Sequence, residues 1–264
     1  MPQITNNNCD RKRRSGNPGT GFGITINYLR YIYDYMQPLL LLHGAIGASG
    51  QLRQLAARLS QSFKVYTLDF TGHGNTQMPG VPFSMTLFEA DVLRFMKNEN
   101  LEKVSIFGYS MGGYVAMCLA KHHPEKVDKI VTLATKFHWD KETAAREIQM
   151  LNPEKIEQKL PAFAETLKTR HAPNDWKAVL SKTADMMVAL GDNNTLIAAD
   201  YAGVNISTLL LLGDRDKMVT LDETEKVFRS LPGAQLGILP GTPHPIEQVD
   251  LELLSFNVTH FLLQ

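Results

Sequence analysis

Cysteine is almost absent from this 264-residue chain: Cys9 and Cys118 stand alone and far apart. Two thiols so placed have no metal-ligand spacing and build no disulfide framework, so nothing calls for an oxidising compartment. Cys118 falls in an apolar helical pattern and reads as a reduced core thiol. Excess charge of either sign is also missing. Lys plus Arg and Asp plus Glu both total 27, which leaves no global field to draw nucleic acid or an anionic membrane. No apolar run approaches the length of a membrane span. The opening stretch "MPQITNNNCDRKRRSGNPGTGFG" lacks the apolar segment of a secretory signal. Its basic cluster, Arg11-Lys12-Arg13-Arg14, matches a targeting or nucleic-acid patch. Asn, Gly and Pro around it favour a solvated, disordered tail over residues 1–23. The expectation is a cytoplasmic protein, monomer or homodimer, with a small-molecule partner, no nucleic acid and no membrane span.

What is present is an alternation. Leucine-rich or β-branched runs such as "PLLLLHG", "KVYTLDF", "KVSIFGY" and "KIVTLAT" are each followed by a helical pattern. The alternation resumes with strands over 207–212 and 234–239 and helices over 221–231 and 246–263. Short strands that are apolar throughout predict an α/β protein with a mostly parallel sheet buried on both faces by helices. Residues 136–203 show only helical patches punctuated by Pro153, Pro161, Pro173 and Gly191, and predict a helical insertion between two strands. The core is therefore expected over 24–135 and 204–264. "GITINYLRYIYDYMQ" is rich enough in Ile and Tyr for one or two edge strands.

Within this pattern "FGYSMGGY" sets Ser110 on the bend between a strand and a helix, with Gly108 and Gly112 on either side. A sharp turn there crowds its neighbours, so side chains are excluded and the serine hydroxyl projects above the sheet edge. A nucleophilic serine needs a base, and the base needs an orienting acid. "LLLLGDRDKMVT" presents Asp214 and Asp216 after one strand, and "LPGTPHPIEQVD" presents His244 after the next. Side chains just past the carboxyl ends of parallel strands converge on one crevice. The remaining histidines, at 122, 123, 138, 171 and 260, have no carboxylate or cysteine at ligand spacing. No metal and no cofactor is expected. Asp140 in "FHWD" also follows a strand and is a minor alternative for the acid.

Four motifs, "HGAIG", "DFTGHGNT", "GYSMGG" and the pair "GDRDKMV" and "GTPHPIE", taken in this order, resemble the α/β-hydrolase fold superfamily over residues 37–264. The resemblance implies a largely eight-stranded sheet and a helical cap made by 136–203. It also implies an oxyanion hole from the backbone N–H groups of Ala45 and Met111. In similar proteins the acid precedes two residues and a valine, which selects Asp216 and leaves Asp214 as the alternative. A proline usually follows that valine, where this chain has Thr220. His43 and His73 are expected to be structural. Phe137, Trp139, Met186, Met187 and Met218 are expected to line an acyl pocket. The implied activity is a serine hydrolase of small or medium esters that acts through an acyl-enzyme on Ser110. Thioester, lactone or carbon–carbon hydrolysis by the same groups, or a non-catalytic receptor of the same fold, are the alternatives.

Overall fold

A computed structural model describes residues 36–264. Six strands, β1 (Pro38–Leu42), β2 (Lys64–Leu68), β3 (Val104–Tyr109), β4 (Val127–Leu133), β5 (Ser207–Gly213) and β6 (Gln235–Leu239), form one sheet in the order β2-β1-β3-β4-β5-β6. All five pairings are parallel. Among the described residues the sheet thus has six strands, not eight. The tail expected over 1–23 and nearly all of the stretch read as edge strands lie outside them.

The leucine run of β1 is continuous because both faces of the sheet are covered. Leu40 and Leu42 pack on one side with α2 (Met85–Asn98), α3 (Met111–His122) and α9 (Leu221–Ser230). Leu39 and Leu41 pack on the other with α1 (Arg53–Leu59) and α10 (Leu251–Leu262). Each buried leucine adds roughly 1.5–3 kcal/mol of apolar burial, so a polar residue at either parity is excluded. The last helix begins at Leu251 and not near 246, because Asp250 accepts hydrogen bonds from the Glu252 and Leu253 amides and caps it there.

Between β4 and β5 the chain makes five α-helices and no strand: α4 (Lys141–Glu147), α5 (Pro153–Lys159), α6 (Pro161–His171), α7 (Trp176–Asp192) and α8 (Ala198–Gly203). Leu151, Ile156, Leu167, Trp176 and Leu180 give this segment a small core of its own. No helix among the described residues is long and apolar enough to cross a membrane. The strand order reverses at β1, whose neighbours are β2 and β3. Leu42 at the end of β1 pairs with Gly108 near the end of β3, so the loops after these strands open onto the same crevice.

Candidate active site

Ser110 stands between β3 and α3 with φ 51° and ψ −116°, a conformation that residues with side chains rarely adopt. The surroundings hold it there. Its N–H donates to Leu133 O at 2.8 Å. Its carbonyl accepts from Gly113 N and from Thr135 Oγ1, each at 3.0 Å. A Cβ at Gly108 would stand 2.4 Å from Gly113 Cα, and one at Gly112 would stand 2.4 Å from Leu42 O. Gly112 is thus needed because the elbow presses against the end of β1, and the two flanking glycines also crowd each other, a Cβ at Gly108 standing 2.5 Å from Gly112 C. Gly113 is equally obligatory, since its Cβ would meet Thr135 Oγ1 at 2.0 Å.

His244 follows β6, and its Nδ1 lies 2.7 Å from Asp216 Oδ2. The other oxygen of Asp216 accepts from the Met218 and Val219 amides at 2.8 and 2.9 Å. Burial pushes this carboxyl up, but the hydrogen bonds from His244 and these amides outweigh it and hold the group below its ordinary value. Asp216 is therefore ionised at neutral pH and only accepts. The proton of neutral His244 sits on Nδ1, and Nε2 is left as the basic nitrogen. Asp214 is exposed and points elsewhere: its Oδ1 accepts from Thr242 N at 3.1 Å, which fastens the loop after β5 to the loop after β6. Asp140 caps α4 through Thr143 N and pairs with His138. Thr220, where a proline is usual, also has a local task. Its hydroxyl accepts from Glu223 N, and Glu223 accepts in return from Thr220 N at 3.3 Å, a bond that proline cannot make.

Ser110 and His244 border one cavity together with Ala45 and Met111. Met111 is the first residue of α3, so its N–H belongs to the orphan donors of a helix start. Tyr109 ties the two halves, donating from its hydroxyl to the His244 carbonyl at 3.1 Å. Trp139, Met186, Met187 and Met218 line the cavity, as do Met85, Tyr114 and Leu190. Phe137 does not. It is only 3% exposed, meets Tyr201 edge-on at 5.8 Å and faces a separate cavity, its N–H donating to Glu223 Oε1. The Ser110 cavity is small. Water-sized molecules can reach about 40 Å³ of it, space for a few waters.

Three groups at or near the site escaped the sequence reading. Lys136 and Glu147 line the cavity, although both are buried and charged. His171, on α6, is fully buried. Its Nδ1 accepts from Gly74 N at 3.2 Å, and its Nε2–H donates to Ile46 O at 3.0 Å. It thereby joins the helical insertion to the loops after β1 and β2. No local signal marks any of these, because an isolated Lys, Glu or His reads as a solvated surface residue until its neighbours are known. His43 and His73 take up positions in the same layer, their rings 5.2 Å apart, with His171 5.8 Å beyond His73. The Nε2 of His43 accepts from Phe70 N and its Nδ1–H donates to Gly44 O at 2.8 Å, which firms the loop before Ala45.

Burial drives the pKa of all three imidazoles down, that of His43 from 6.5 to about 4. The unfolded chain binds protons at these positions below pH 6.5, and the folded chain resists doing so. Stability is therefore fully present above that value and is lost as the pH falls toward 4, by up to about 1.4 kcal/mol per pH unit for each group. Thermal melts are expected to be flat above neutrality and to drop steadily through this window. A midpoint independent of pH between 6.5 and 4.5 would contradict the buried, neutral state of the three rings.

An open parallel sheet with a strained serine beside its reversal point and a His–Asp pair on the loops after β5 and β6 defines a class of protein whose reactive groups come from loops. The chain belongs to the alpha/beta hydrolase fold family, whose model matches residues 37–174. It is 25% identical over 256 residues to a Synechocystis protein provisionally named a non-heme chloroperoxidase, covering 83% of this chain and 91% of that one. A Haemophilus influenzae protein provisionally named an esterase/lipase is 24% identical over 241 residues, covering 85% and 82%. The crystal structure of the enol-lactonase from Burkholderia xenovorans LB400 superposes with a TM-score of 0.70 at 18% identity, covering 87% of this chain and 92% of that one. That last likeness is one of fold.

Proposed function

We propose that this protein is a serine hydrolase that cleaves short carboxylic esters through an acyl-enzyme on Ser110. The observation that carries the reading is that His244, held by Asp216 at 2.7 Å, borders the same cavity as Ser110. In the proposed reaction the Ser110 hydroxyl adds to the ester carbonyl while His244 Nε2 takes its proton. The oxygen that becomes negative is received by the Ala45 and Met111 amides, donors fixed in place before the charge develops. Collapse breaks the bond to the alcohol, which leaves with the proton from His244. Water then repeats the sequence on the acyl-serine, giving its proton to His244 and releasing the acid. Asp216 stays ionised throughout, and holds the imidazole in the right tautomer. The helices of residues 136–203 serve as a cap, and Trp139, Met186 and Met187 supply its apolar lining.

The size of the cavity favours small acyl groups, and its five methionines (Met85, Met111, Met186, Met187 and Met218) allow some adjustment. Turnover of p-nitrophenyl esters is expected to peak between acetate and hexanoate and to be roughly tenfold or more slower for dodecanoate, which overfills the space. An optimum at the long chain would overturn the short-ester assignment.

A further inference from the structure

The Ser110 cavity has a polar edge that the ester chemistry does not use. Lys136 Nζ donates to Met218 O at 2.6 Å and to Glu223 Oε2 at 3.4 Å, and lies 3.5 Å from Glu147 Oε1. Both oxygens of Glu223 are engaged, Oε1 by Phe137 N and Oε2 by Lys136 and Thr220 N. Glu147 differs. Its side chain is 4% exposed, Arg146 and Lys136 both address Oε1, and Oε2 has no hydrogen-bond partner among the described residues. Four other buried side-chain atoms share that state, on His73, Glu89, Thr183 and Tyr201, but none of those residues lines this cavity. A carboxylate oxygen out of water without a donor is costly, and a site normally supplies one.

The charges around Glu147 already balance, two carboxylates (Glu147 and Glu223) against Lys136 and Arg146. What is missing is a donor and not a cation. Trp139, Met186, Met187 and Leu190, which share the cavity wall, are largely apolar, and none of them donates to Glu147 Oε2. Of the two halves of an ester, the acyl group is the one that stays bound to Ser110 after the alcohol departs. Building on the hydrolase reading, we infer that the substrate's acyl group is short and carries a hydroxyl, which donates to Glu147 Oε2 while its carbon chain lies against the methionines. An acyl group ending in a carboxylate is rejected by the same oxygen.

The test compares kcat/KM for matched p-nitrophenyl esters: butanoate with 3-hydroxybutanoate, hexanoate with 6-hydroxyhexanoate, and the monoester of adipate. The wild-type protein is expected to favour one hydroxylated ester over its plain partner by at least about tenfold, as befits a hydrogen bond to a buried charged acceptor, and to leave the adipate ester largely uncleaved. In Glu147→Gln an amide NH2 can replace the lone oxygen, and the ratio is expected to fall to near one. Because the ratio is taken within a single variant, loss of folded protein cancels from it. Equal treatment of each pair by the wild type, or a ratio unchanged in Glu147→Gln, would overturn the inference while cleavage of the plain esters kept the hydrolase reading. Absence of any cleavage, together with no fluorophosphonate adduct on Ser110, would remove both.

Discussion

Ser110→Ala is expected to lower ester turnover by about 10⁶-fold, the loss typical when a serine nucleophile is removed from a working triad. The fold is expected to survive. The bonds that hold the elbow run through the main-chain N–H and carbonyl of Ser110, to Leu133, Gly113 and Thr135, and not through its hydroxyl. Alanine keeps the Cβ that this backbone already accommodates at φ 51°, so the strain is the same before and after. Residual activity would come only from the oxyanion donors and from binding. The measurement is turnover of p-nitrophenyl acetate alongside thermal unfolding. Wild-type turnover in a folded alanine variant would remove Ser110 from the chemistry.

The second large effect is expected at Asp216. Asp216→Asn should reduce kcat by about 10⁴-fold, even though the substitution scarcely changes shape. The cause is a change in proton position. In the asparagine variant the amide oxygen is best used on the Met218 and Val219 amides, which now meet Oδ1. The NH2 is then turned toward His244 Nδ1. Two donors cannot face each other, so the imidazole shifts its proton to Nε2, and the nitrogen needed as base becomes a donor. Asp214→Asn is the control, because that carboxylate is held by the main-chain N–H groups of Gly241 and Thr242, and it should change kcat little. A collapse of kcat in Asp214→Asn with Asp216→Asn near wild type would reassign the acid. The two aspartates are two residues apart in one loop, so the comparison isolates geometry from composition.

Ser110 and Asp216 differ in how much of their role local sequence carries. Ser110 is legible because a strand, a glycine-flanked serine and a helix follow one another within a dozen residues, and each part has a local physical signature. The six described strands are legible for the same reason. A run such as Leu39–Leu42 has no polar parity, which only a sheet covered on both faces allows. His244 and the two aspartates lie just past strand ends, and in a parallel sheet all such ends open toward one crevice. Sequence order and period therefore decided which loops meet.

The meeting of particular atoms was decided elsewhere. Whether Asp214 or Asp216 turns toward His244 depends on hydrogen bonds to Thr242 and to the Met218 and Val219 amides, which exist only once the two loops lie together. Phe137 and Trp139 look alike in the sequence, yet only Trp139 lines the Ser110 cavity, because the Phe137 amide is fastened to Glu223, 86 residues away. His171, Lys136 and Glu147 gain their places from partners on other elements. Secondary structure follows from short-range periodicity, which a chain carries in its order of residues. The direction in which one side chain faces is a long-range property, set by contacts that no stretch of sequence contains.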